Sequence, residues 1–245
     1  MDTTRLIAAA SADGRALIAA AETDWQRPIP HCPEWDAAEL VRHMAAILQW
    51  MAAVVGSGDR GGRRGLDPGP EDQDELSSWY LSCLQNTVGV LAATDPDSAT
   101  WTFSSLGDRS AAWWARRLAV EIAIHRWDAQ HALNCAGGPR PAPVDAEIAQ
   151  AGIQEFLTEF LPGLLSGEGG EHLTGVLHLR ASDAPAEWWI DLNTAASVSP
   201  RPAADTDLRG SVSDLLLWLT NRLAIDDLDV VRRSDVAEHW GQLTR

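Results

Sequence analysis

The chain has 245 residues, 45% of them hydrophobic and 22% charged, which is enough apolar material for one large or two ordinary cores. Its formal net charge of -16 comes from 35 acidic residues against 19 basic ones, every one an Arg, and this argues against a nucleic-acid or other polyanionic partner. Met1 to Thr4 lack a basic start followed by an apolar core, and no apolar run approaches the ~20 residues that cross a bilayer, so a cytoplasmic protein without a membrane partner is expected. Cys32, Cys83 and Cys135 are an odd number at wide spacing with no CxxC, so they read as reduced thiols acting as small core residues.

The first half reads as helices. Residues 3 to 21 place Leu6, Ala9, Ala10 and Leu17 at helical spacing, and Pro28, Pro30 and Pro33 then forbid a helix through the following loop. Asp36 and Glu39 form a capping-box pattern that starts a second helix running from about Ala37 to Val55. Gly56 to Pro70 is a long loop whose Arg60, Arg63 and Arg64 read as a solvated cluster, and Glu71 to Ala93 restores the helical period until Asp95-Pro96 breaks it. A fourth helix from about Ser110 to Asn134 is closed by Gly137-Gly138-Pro139. Four such helices suggest an antiparallel bundle over residues 1–140.

Past Pro143 the pattern changes. Asp145 to Leu165 reads as one more helix, ended by Ser166-Gly167-Glu168-Gly169-Gly170. Alternation then marks strands at Val176 to Leu179 and Trp188 to Leu192 joined by a turn at Asp183 to Pro185, with further strands near Asp205 to Arg209 and Leu228 to Val231. Helices at Leu215 to Asn221 and Val236 to Leu243 complete a small α+β domain over residues 145–245. The fold class expected is therefore α+β with two domains.

Chemistry concentrates on the fourth helix. Arg117, Glu121, His125 and Asp128 are spaced by 4, 4 and 3, which keeps them on one polar stripe among Ala119, Val120, Ile122, Ala123 and Ile124. Burying a carboxylate and an imidazole there is costly unless something satisfies them, and a cation at the bundle axis would satisfy both. His43 sits similarly on the second helix, flanked by Leu40, Ile47 and Leu48. Two imidazoles and one carboxylate with a vacant fourth position is the donor count of catalytic zinc. Spacing alone equally admits a Glu-His pair holding a water, with His43 a hydrogen-bonded core histidine. Asp128 could orient one of these ligands from behind or pair with Arg126 at the surface, and the surface pair is the favoured reading. One of the adjacent Trp113 and Trp114 has to leave the core stripe and could line the mouth of a pocket, although ordinary packing is the favoured reading, while His31, His131, His172, His178 and His239 have no partner at ligand spacing and read as structural or surface residues.

The chain resembles the mycothiol-dependent maleylpyruvate isomerase family, whose N-terminal part belongs to the DinB-like four-helix metalloproteins. The resemblance is carried by Pro30 to Asp36 leading into Leu40-Val41-Arg42-His43, by Trp113 to Asp128, and by Gly210 to Arg222. It implies that His43, Glu121 and His125 bind Zn2+ or another divalent metal, that mycothiol is the thiol cofactor, and that Arg222 is a candidate clamp for a substrate carboxylate. Arg117 is a second candidate for that clamp, because a guanidinium can hold a carboxylate bidentately.

The function expected is a zinc-dependent thiol enzyme, either a cis-trans isomerase of a maleylpyruvate-like diacid or a mycothiol S-transferase. It would take a small-molecule electrophile and a low-molecular-weight thiol, and act as a monomer or homodimer. The alternatives are a metal-dependent hydrolase using a metal-bound hydroxide and a non-catalytic metal or small-molecule-binding protein.

Overall fold

The computed structural model describes residues 2–60, 65–167, 170, 173–197, 203–233 and 236–243. Contacts divide the chain into two compact units, Met1–Val144 and Asp145–Arg245. The first is built on α1 (Thr3–Ala21), α2 (Ala37–Ser57), α3 (Leu76–Ala93) and α4 (Ala111–Cys135). The N-cap signals set the starts of α2 and α4. Asp36 accepts from the Glu39 amide at 2.9 Å while Glu39 accepts from the Asp36 amide at 3.0 Å, and Ser110 accepts from the Trp113 amide. Helix α3 begins later than the hydrophobic period suggests, because a 3-10 turn at Gln73–Glu75 precedes it.

Helix α1 packs on α3 and α4, and α2 packs on the same two partners. Leu6, Leu17, Leu40, Met44, Leu48, Tyr80, Leu84, Leu118 and Ile122 fill the space between them. His43 meets His125, and about two turns further along α2 Trp50 meets Trp114, which precedes His125 on α4, so α2 and α4 run antiparallel. An 18-residue window of α2 reaches a mean hydropathy of 1.2, the length and composition of a membrane-crossing helix, yet 56% of it is buried inside the fold. Its apolar side chains are spent on the bundle.

The second unit begins with α5 (Ala146–Glu155), which continues through a π-helical turn at Phe156–Phe160 into α6 (Leu161–Ser166). Pro162 gives the cause: it has no N–H for the Thr158 carbonyl, and the Leu161 amide reaches back to the Phe156 carbonyl instead. Strands β1 (Val176–Ala181), β2 (Glu187–Asp191), β3 (Ala196–Ser197), β4 (Thr206–Gly210) and β5 (Asp229–Arg232) form one sheet in the order β3-β2-β1-β4-β5. β1 is parallel to β4 and antiparallel to β2. Helix α7 (Val212–Leu219) packs against β1 and β4 and against α5, and α8 (Val236–Leu243) places Trp240 on Trp218 and Phe156. Gly175, with φ +91, turns the chain into β1, and a Cβ there would meet the Asp205 carboxylate that accepts from the Val176 amide. Arg63, Arg64, Glu168, Gly169 and His172 lie outside the described residues.

Candidate metal centre

The polar stripe of α4 forms a chain of contacts. Arg117 Nη2 donates to Glu121 Oε2, Glu121 Oε1 lies 3.6 Å from His125 Nε2, and His125 Nδ1 is 2.9 Å from Asp128 Oδ2. A carboxylate can only accept, so Nδ1 carries a proton in that last bond, and Nε2 faces Glu121, donating to it when the ring is protonated and offering a lone pair when it is neutral. The fourth member arrives from α2, whose His43 Nε2 lies 3.9 Å from the same Glu121 Oε1. The three donor atoms all lie within 4.8 Å of one another.

Asp128 is 0% exposed, so it is not half of a surface pair. Arg126, also buried, turns elsewhere, to Asp13 at 3.2 Å, Gln130 at 2.9 Å and the Pro143 carbonyl at 3.0 Å. The α4 backbone places 125 and 128 one turn apart on the inward face and directs 126 away.

The proline-rich loop before α2 supplies a wall. The Ile29 amide donates to the Trp35 carbonyl at 2.9 Å, and the Trp35 amide donates to the Cys32 carbonyl at 2.7 Å, which closes a tight turn. That turn holds the Trp35 ring 4.5 Å from the His43 ring and 6.3 Å from the His125 ring. Sequence reasoning missed this contact, because Trp35 precedes the helix and shares no helical spacing with His43. The same loop sets His31 against Trp127 and 4.9 Å from His131, whose Nε2 is 3.6 Å from Cys135 Sγ.

Electrostatics follow from this packing. Burial pushes the Glu121 carboxyl up, but the Arg117 guanidinium and then the two imidazoles more than reverse it, holding Glu121 well below the usual carboxylate range. Burial likewise opposes a charge on His125, and the hydrogen bonds and charges of Asp128 and Glu121 overcome it, raising the imidazole above its ordinary value.

A divalent ion fits this donor set. Tetrahedral ligands at about 2.1 Å from zinc sit about 3.4 Å apart, so separations of 3.6 and 3.9 Å to Glu121 Oε1 need only small adjustments. Two imidazole nitrogens and a carboxylate oxygen are the donor types zinc takes, and a carboxylate behind one imidazole is the usual outer support of such a ligand.

The remaining sequence candidates fall elsewhere. Trp113 and Trp114 are 1% and 0% exposed, so neither leaves the core: Trp113 packs on Phe103, while Trp114 meets Trp50 and donates to the Trp101 carbonyl. The loop carrying Trp101 and Phe103 covers the side of α4 that spacing alone would leave open. Arg60 sits 5.4 Å above Trp101. Arg222, at the end of α7 in the second unit, donates from Nη1 to the Thr220 carbonyl at 2.7 Å, just past Asn221, whose φ of 61 makes the left-handed turn that ends the helix. Cys32 and Cys83 are partly buried but Cys135 is exposed, so it is not a core residue. His178 is buried on β1, bonded to Glu187 and stacked on Trp189.

Residues 7–130 match the family described as the mycothiol maleylpyruvate isomerase N-terminal domain, and the chain belongs to that family. Its fold is that of a crystal structure of the mycothiol-dependent maleylpyruvate isomerase, with a TM-score of 0.63, 14% sequence identity and coverage of 94% of this chain and 93% of the other. A histidine-to-alanine mutant of that enzyme gives a TM-score of 0.62 at 10% identity over the same shares of both chains. No curated protein sequence matches at a significant level.

Proposed function

We propose that this protein is a metal-dependent thiol enzyme, either a maleylpyruvate-isomerase-like cis-trans isomerase or a mycothiol S-transferase, with His43, Glu121 and His125 as the ligands of zinc or a related divalent ion. The observation that carries the reading is the convergence of two imidazole Nε2 atoms on one oxygen of a charged, buried carboxylate. Family membership supports it independently. A divalent ion bound there would supply the Lewis acidity that favours the thiolate form of a low-molecular-weight thiol such as mycothiol, the nucleophile both reactions need.

The chain's own groups prepare that site. Asp128 keeps the His125 proton on Nδ1, so Nε2 stays free to ligate. Arg117 keeps Glu121 ionised. Trp35 covers one side of the His43 ring and limits water there. Arg222 is the group we assign to a substrate carboxylate. Its guanidinium would have to trade its bond to the Thr220 carbonyl for the ligand.

Metal analysis of purified wild type beside His125→Ala, together with turnover of an α,β-unsaturated diacid with and without mycothiol, tests this reading. Stoichiometric metal in the wild type, its loss in the variant and turnover only with thiol are expected. Equal metal content in both sinks the ligand set, turnover without thiol makes the protein a hydrolase, and saturable binding of the diacid without turnover makes it a binding protein.

A further inference from the structure

The two oxygens of Glu121 have different partners. Both imidazoles face Oε1, His125 Nε2 at 3.6 Å and His43 Nε2 at 3.9 Å, while Arg117 Nη2 donates to Oε2. Arg117 lies one turn before Glu121 on α4 and is largely buried beside it, so the guanidinium is held in place by the helix. An isolated carboxylate near a divalent ion can bind through one oxygen or chelate through both, and the second mode fills a coordination position. We infer that Arg117 is a positioning residue that restricts Glu121 to one oxygen and so preserves the vacant position on the metal for an incoming thiol.

This role differs from that of a substrate clamp. A guanidinium spent on Glu121 is already neutralised by a buried partner, and releasing it to a substrate carboxylate would free Oε2 to close the site. The arrangement therefore keeps the site open by charge pairing, with no need for a rigid loop. The inference rests on the metal-binding reading above, and its test separates the two.

The experiment loads apo-protein with Co2+ in place of the native ion and reads visible absorption, which is intense for four-coordinate and weak for five- or six-coordinate cobalt. N-acetylcysteine is then titrated in as the thiol probe. Wild type is expected to show the intense spectrum and a shift on adding thiol. Arg117→Met keeps the stem that packs along α4 but removes the donor. It should retain bound Co2+ with absorption several-fold weaker and lose the thiol-induced shift, whereas Arg117→Lys should recover both. Circular dichroism of each variant checks that helix content is preserved. An Arg117→Met spectrum and thiol response equal to wild type overturns the inference while leaving the ligand set intact. Absence of any cobalt spectrum in wild type overturns the inference and the metal-binding reading together.

Discussion

Asp128 lies where water does not reach, and a carboxylate in that position is tolerated because the His125 Nδ1–H satisfies it. Removing it leaves a buried donor unpaired at a cost of about 1–3 kcal/mol and frees the ring to turn. Asp128→Ala is therefore expected to weaken divalent-metal affinity roughly 10- to 100-fold, measured by competition with a chromophoric chelator, while Asp128→Asn, which still accepts through Oδ1, loses much less. The same residue shapes the pH profile of metal-free protein. The raised His125 pKa contributes stability that is complete below the unfolded value and lost as pH rises through the folded one. The depressed Glu121 pKa contributes stability that is complete above its unfolded value and lost as pH falls through the folded one. Both are fully present between about pH 4.3 and 6.5, so thermal stability of the apo-protein should be greatest in that window, and in Asp128→Ala the loss on the alkaline side should be smaller and complete at lower pH. A divalent ion bound at the proposed site would reverse the alkaline limb, since it takes the deprotonated imidazole.

At the scale of elements, legibility followed whether the determining contacts were local. Helices α1, α2 and α4 begin and end within two residues of where spacing and caps put them, and for α2 and α4 the capping box and the N-cap Ser are visible in four consecutive residues. The four members of the α4 stripe were legible for the same reason. The interrupted α5–α6 helix was not, since Asp145 to Leu165 has a continuous apolar period and only Pro162 betrays the π turn. In the sheet the alternation marked β1, β2 and β4, but the two-residue β3 is too short to carry a pattern, and the parallel pairing of β1 with β4 joins residues about 29 apart, as in the bond from the Val176 amide to Asp205. Trp35 on His43 is likewise a contact that only the folded loop creates. Its position just before the capping residue gives a prediction: Asp36→Ala should cost about 1 kcal/mol, read as a lower urea midpoint with unchanged slope, and should also weaken metal retention as the Trp35 turn loosens.

For the whole molecule, charge is the property that reaches furthest. A net charge of -16 surrounds a site whose Arg117 is already paired with Glu121, so a dianionic electrophile is repelled at long range. Raising ionic strength from about 0.01 M to about 0.15 M shortens the Debye length from ~30 Å to ~8 Å, and kcat/KM for a diacid should rise roughly two- to tenfold, while that for an uncharged electrophile of similar size stays level. A fall with salt for the diacid would mean that local arginines, not the acidic surface, govern encounter.

The three residues we propose as ligands come from two antiparallel rods, one entering at residue 37 and the other leaving at residue 135, so the proposed set lies within the first unit of the chain. Heritable variation in the second unit can accumulate without touching a single donor. With the proposed metal bound there, a lineage built this way would be free to explore new cargo while its inorganic chemistry stayed the same.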